Sequence, residues 1–128
     1  MVDTTLATFA SDGDSAIDQL FAGPADHIRA ENIVLITGQV LTRGALLGKI
    51  TASGKYTLSL SASSDGSQTP DAILAHDCDA TGADKQTVAY KGGWFNETRV
   101  VYGTGHTAAS VREGLRDKNI QLIKVQPA

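Results

Sequence analysis

The chain has 128 residues, of which 41% are hydrophobic and 20% charged, with a formal net charge of −3. It is the size of one ordinary domain and can bury a core without staples. Singly scattered Lys and Arg argue against a nucleic-acid binder, a lone cysteine excludes an internal disulfide, and no apolar run reaches the roughly 20 residues of a membrane span.

The opening "MVDTTLATFASDGDSA" has neither the basic start nor the apolar stretch of a signal peptide. The expected place of action is the cytoplasm, or an assembly built there. Residues 1–30 are rich in Asp, Ala, Ser and Thr, and their apolar residues follow neither a helical nor an alternating period. This composition reads as an arm that orders against something else, or as a frayed terminus. "SAIDQL" is long enough for one helical turn capped by Asp14 or Ser15.

From Glu31 the pattern becomes β. "NIVLI" is a short apolar strand ended by Thr37-Gly38. Gly44 and Gly48 in "VLTRGALLGKI" suggest sharp turns or a bulge. "KITASGKYTLSL" predicts a hairpin around Ala52-Ser53-Gly54, with Tyr56, Leu58 and Leu60 on the buried face. "SASSDGSQTPD" is a polar loop, "AILA" a buried strand and "DCDATGADK" a second loop. "QTVAY" and "WFNETRVVY" read as two strands joined at Gly92-Gly93. "TAASVREGLRDKN" predicts one short helix, with Ser110 and Glu113 at capping-box spacing and Ala108, Val111 and Leu115 as its apolar stripe. "IQLIKV" closes the chain as a strand. The expected fold is mainly β, a small domain of short strands over residues 31–128 with one short C-terminal helix, preceded by an extended arm over residues 1–30.

Catalytic chemistry is thin. "HDCD" places His76, Asp77, Cys78 and Asp79 together, and each is a ligand type. Strand neighbours face opposite ways, so Asp77 and Asp79 share one face and His76 and Cys78 the other. One cysteine and two further histidines, His27 and His106, do not supply the paired spacings of a zinc site. "GTGH" fits neither a nucleophile elbow nor a dinucleotide fingerprint. A Cys78–His106 dyad would need an oxyanion hole and a pocket, and the sequence displays neither. Lys49 and Lys55 lack the context of the modified lysine in a biotinyl or lipoyl carrier. No cofactor, no metal and no enzymatic activity are expected.

Three pieces, "RGALLGKIT", "SDGSQTPDAILAHDCD" and "GWFNE", occur together and in order. With "ASVREGLRDKNIQLI" they resemble the head decoration protein family of tailed double-stranded DNA phages, over roughly residues 30–125. That resemblance implies a small β-clip-like fold. It implies a homotrimer on the outer surface of the expanded head, bound to the major capsid protein and stabilising the shell against packaged DNA. It also implies a virion location after synthesis in the host cytoplasm, with no nucleic acid or membrane as partner. The N-terminal arm would bind the capsid by adding a strand to a sheet edge, a mode that "TTLATF" (Thr4, Thr5, Leu6, Ala7, Thr8 and Phe9) has the β propensity to adopt.

Candidate trimer or capsid contacts are Asp65, Gly66, Ser67 and Gln68 in one loop, and Trp94 and Phe95 after the glycine pair. Their plainer readings are a solvated loop and core packing. Arg112, Glu113, Arg116 and Asp117 read as a solvated helix face with local charge pairs. Arg43 is a candidate for pairing across a subunit interface. The alternative function is a small trimeric β-clip enzyme of the nucleotide hydrolase type, with Asp77 and Asp79 holding Mg²⁺. An adaptor for another virion protein is a third reading.

Overall fold

A computed structural model describes residues 20–23 and 27–124. The candidate arm residues Thr4 to Phe9 lie outside the described residues. The strands, in chain order, are β1 (Arg29–Leu35), β2 (Val40–Leu41), β3 (Leu46–Lys49), β4 (Tyr56–Leu58), β5 (Pro70–Leu74), β6 (Cys78–Asp79), β7 (Lys85–Asn96) and β8 (Ile120–Ile123), with one helix, α1 (Ala108–Arg116), before β8. The protein is mainly β with a small barrel-like sheet.

The main sheet runs β1-β4-β3-β5-β7-β8, and β1 also pairs with β7. That extra pairing closes five strands on themselves and leaves β8 as an appendage. Closure removes edges that would otherwise present unpaired backbone groups. Two junctions are parallel, β1 with β4 and β7 with β8. The remainder are antiparallel.

Two apolar clusters lie on either side of this wall. The first is the barrel interior, with Ile33, Leu35, Leu47, Tyr56, Leu74 and Ala89. The second lies between the barrel and the helix, with Leu46, Ile73, Phe95, Val111, Leu115 and Ile120. Consecutive strand residues point to opposite faces. Leu47 and Leu74 therefore fill the barrel while their neighbours Leu46 and Ile73 face the helix. This explains why "ALL" and "AIL" are unbroken apolar runs rather than alternating ones.

β7 differs from the sequence expectation. It is one continuous strand of 12 residues, with Gly92-Gly93 inside it rather than at a turn. Gly93 has φ +131, and a Cβ there would lie 2.4 Å from Ile28 Cδ1. The pair thus provides a bend and a close approach, a usual role for glycine within a strand. "DCDATGADK" also contains the short strand β6, which pairs with β2. The hairpin at residues 50–55 forms as expected, with Gly54 at φ +76. Beyond Leu58 the expected alternation fails. Ser59 is fully buried and Leu60 is exposed, because β4 has ended and Ser59 is held by polar partners.

The helix forms on its predicted stripe, burying Val111 and Leu115. Its cap is one turn earlier than the Ser110–Glu113 spacing suggests. Thr107 is the N-cap: its Oγ1 accepts from the Ser110 amide, and Ser110 Oγ accepts from the Thr107 amide. Glu113 pairs with Arg116 at 3.0 Å on the exposed face. Arg112 departs from the expected local pairing and bonds Glu97 at the exit of β7, tying the helix to the wall. Among the described residues no helix is long and apolar enough to cross a membrane.

Two glycines give opposite expectations for one substitution. A Cβ at Gly48 would lie 2.0 Å from the Ser67 carbonyl oxygen, whereas one at Gly114 meets nothing within 4 Å. Gly48→Ala is expected to destabilise by about 3 kcal/mol through overpacking against backbone. Gly114→Ala is expected to stabilise by about 1 kcal/mol through helix propensity. Urea denaturation of the two variants measures both, and equal effects would contradict this packing.

Candidate functional site

The "HDCD" stretch spans a change of strand. β5 ends at Leu74 and β6 begins at Cys78, so strict alternation does not run through it. His76, Asp77 and Asp79 are all exposed, and Cys78 alone turns into the barrel core. His76 therefore does not share a face with Cys78, as alternation had suggested. Both carboxylates serve the backbone. Asp77 Oδ1 accepts from the Arg43 amide at 2.8 Å, and Asp79 Oδ1 from the Thr81 amide at 2.9 Å. The Thr81 hydroxyl and amide hold the Asp79 carboxyl below its ordinary range. Among the described residues no group of three His, Cys, Asp or Glu is placed to hold a metal ion.

His106 meets a serine. Its Nε2 lies 3.1 Å from Ser59 Oγ, which donates to the Ser67 carbonyl at 2.6 Å. A serine hydroxyl has one proton to give. Since that proton goes to Ser67, the imidazole is the donor in the second bond and not a base toward Ser59. Ser59 is also completely buried, out of reach of a substrate. The pair is a structural node. Gly103 lets the chain pass it closely, since a Cβ there would be 1.9 Å from the Ser59 carbonyl oxygen.

The candidate contact loop is braced from within. Asp65 Oδ1 accepts from the amide and the hydroxyl of Ser67, at 3.0 and 2.5 Å. Gly66 takes φ +103, and its amide donates to Gln68 Oε1 at 2.8 Å. The Asp65 carbonyl accepts from the Thr51 amide, pinning the loop to the hairpin. Ser67 is fully buried, so only Asp65, Gly66 and Gln68 present surface there.

Trp94 and Phe95 separate by face. Phe95 is fully buried in the second cluster, so its side chain has no surface for a partner, while Trp94 is 43% exposed. The plain core reading therefore holds for Phe95 and fails for Trp94. The Trp94 ring lies against Gly23, where a Cβ would come within 3.0 Å of Cε3, and its carbonyl accepts from the Ala22 amide at 2.9 Å. His27 approaches the same ring edge-on, with centroids 6.2 Å apart.

Two polar groupings escaped the sequence reading. Arg43 Nη1 donates to the Ala75 carbonyl at 2.7 Å and to the Tyr90 hydroxyl at 2.8 Å, and the guanidinium stacks over the Phe21 and Tyr90 rings. Lys91 bonds the Tyr56 hydroxyl at 2.9 Å and Asp71 at 3.1 Å. Burial opposes the charge on Lys91, but the bonds to Tyr56 and Asp71 prevail and raise its pKa. These partners are 20 to 47 residues apart in sequence, so only the fold brings them together.

A closed β barrel whose best-placed serine, histidine and carboxylates are committed to internal bonds has the build of a structural or docking module. Comparison with known families agrees. The profile of the bacteriophage lambda head decoration protein D family matches residues 11–121, and the chain belongs to that family. Membership gives it a structural role on the phage head and a location in the virion capsid. No curated protein matched the chain.

Asp65 carries a pH prediction. Its bonds from Ser67 depress its pKa below the ordinary 3.8. A depressed carboxylate stabilises the fold above its unfolded value, and that contribution disappears as pH falls through the folded value. Melting temperature is therefore expected to fall below about pH 4, and Asp65→Asn is expected to flatten that acid limb. An unchanged acid limb in the variant would contradict the brace.

Proposed function

We propose that the protein binds the outer surface of the expanded phage head as a homotrimer, through the major capsid protein, and strengthens the shell against packaged DNA. The observation that carries this reading is the family match over residues 11–121. The chain would be made in the host cytoplasm and would act without a cofactor.

The capsid-binding segment lies in residues 1–30, of which Leu20 and Arg29–Ala30 already pack on the β domain of residues 31–128. Within the segment, Thr4 to Phe9 add as a strand to an exposed sheet edge, where main-chain hydrogen bonds supply affinity. Three arms on one trimer turn weak single contacts into firm attachment through effective concentration. Trp94 supports a contact near the same segment, because a half-exposed Trp is a typical anchor of protein interfaces. Asp65, Gly66 and Gln68 offer a rigid polar loop for a neighbouring subunit or the capsid.

Sedimentation with empty, expanded, undecorated heads tests the proposal. The full chain is expected to run as a trimer and to pellet with the heads. A chain lacking residues 1–19 is expected to remain a folded trimer with weaker binding. A monomer that stays in the supernatant at high concentration would overturn the reading.

A further inference from the structure

The chain just after residue 19 is held in two ways. Its backbone adds to the side of β7: the Asn96 amide donates to the Leu20 carbonyl at 2.6 Å, and the Ala22 amide to the Trp94 carbonyl at 2.9 Å. Leu20 is 2% exposed, within the second apolar cluster. The side chain of Phe21 is gripped separately. Its ring meets Tyr90 edge-on at 5.1 Å and lies 5.8 Å from Phe95, and Arg43 covers it at 5.2 Å. Arg43 is itself fixed to the domain through Ala75 and Tyr90, and Asp77 accepts from its amide.

We propose that Arg43, Tyr90 and Trp94 form a clamp on Phe21–Gly23 that positions the root of the N-terminal arm for capsid docking. The inference rests on the arm-binding reading above. Its physical content is entropic. With Thr4 to Phe9 docked, an arm anchored at Leu20 has a tether of 10 residues, 10–19, before the body. Releasing the root would move the anchor back toward Ile28 and lengthen that tether by roughly 80%. Effective concentration falls roughly as the −3/2 power of tether length, which is about 2.4-fold per arm and about sixfold for the second and third arms of a trimer, the first docking from solution. Arg43, Tyr90 and Trp94 are positioning residues here, acting through the segment they hold.

The test uses four proteins: the full chain, the Phe21→Ala/Arg43→Gln variant, the chain lacking residues 1–19, and that truncation carrying the two substitutions. Affinity for empty expanded heads is measured for each, with amide exchange at Ala22 and Asn96. The expected result is faster exchange at both amides and about sixfold weaker binding in the full-length variant, with no further weakening in the truncated background. Equal weakening in both backgrounds would make the clamp merely structural and overturn the proposal. So would parental affinity, or unchanged exchange, in the full-length variant. Unchanged affinity on truncation alone would overturn the arm reading, and the clamp with it. If the double variant does not fold, Gly23→Ala, which drives a methyl against the Trp94 ring, replaces it under the same criteria.

Discussion

The register of β7 is the constraint on which the rest of the molecule depends. Its first part pairs with all of β1, its middle with β5, and its last four residues with β8. The far side of that last part takes Leu20–Ala22. One strand thus closes the barrel, carries the appended strand and receives Leu20–Ala22. A slip of one residue would exchange faces along its whole length, sending Phe95 to solvent and Trp94 to the core. The Gly92-Gly93 bend allows a single strand to serve the barrel at one end and the second cluster at the other.

The two cores share their walls. β3 and β5 contribute alternate residues to both clusters, so packing in the barrel and packing under the helix are coupled through the same backbone. Loops are stitched to this wall by buried polar bonds. Ser59, Ser67 and His106 join three segments, and close approach at Gly48 and Gly103 leaves no room for a side chain. A small barrel braced in this way is consistent with the structural role that family membership gives.

Much of the β architecture was legible in the sequence. "NIVLI" and "AILA" announce strands because both faces of β5, and one face of β1, are buried. The helix is readable from Val111 and Leu115, but its cap is not. Thr107 and Ser110 both carry hydroxyls able to cap, and only the backbone turn at Thr107 decides between them. In sequence, Gly92-Gly93 looks like a junction of two strands, because a glycine pair within a strand has no local signature. The same holds for β2 and β6, which are two residues each and exist only as partners of one another. At the candidate site, sequence proposed Trp94 and Phe95 together, and alternation on β7 assigns one to the surface and one to the core. Arg43 was legible only as a candidate for pairing across an interface, since Phe21, Ala75 and Tyr90 reach it only through the fold.

On the proposed reading, the closed barrel, the clamped root and the arm act together in head binding. Electron cryomicroscopy of expanded heads saturated with the protein addresses it most directly. The account predicts barrel density in groups of three on the outer surface, with Leu20 and Trp94 turned toward the shell. Density with that end facing away from the shell, or no ordered density, would contradict it.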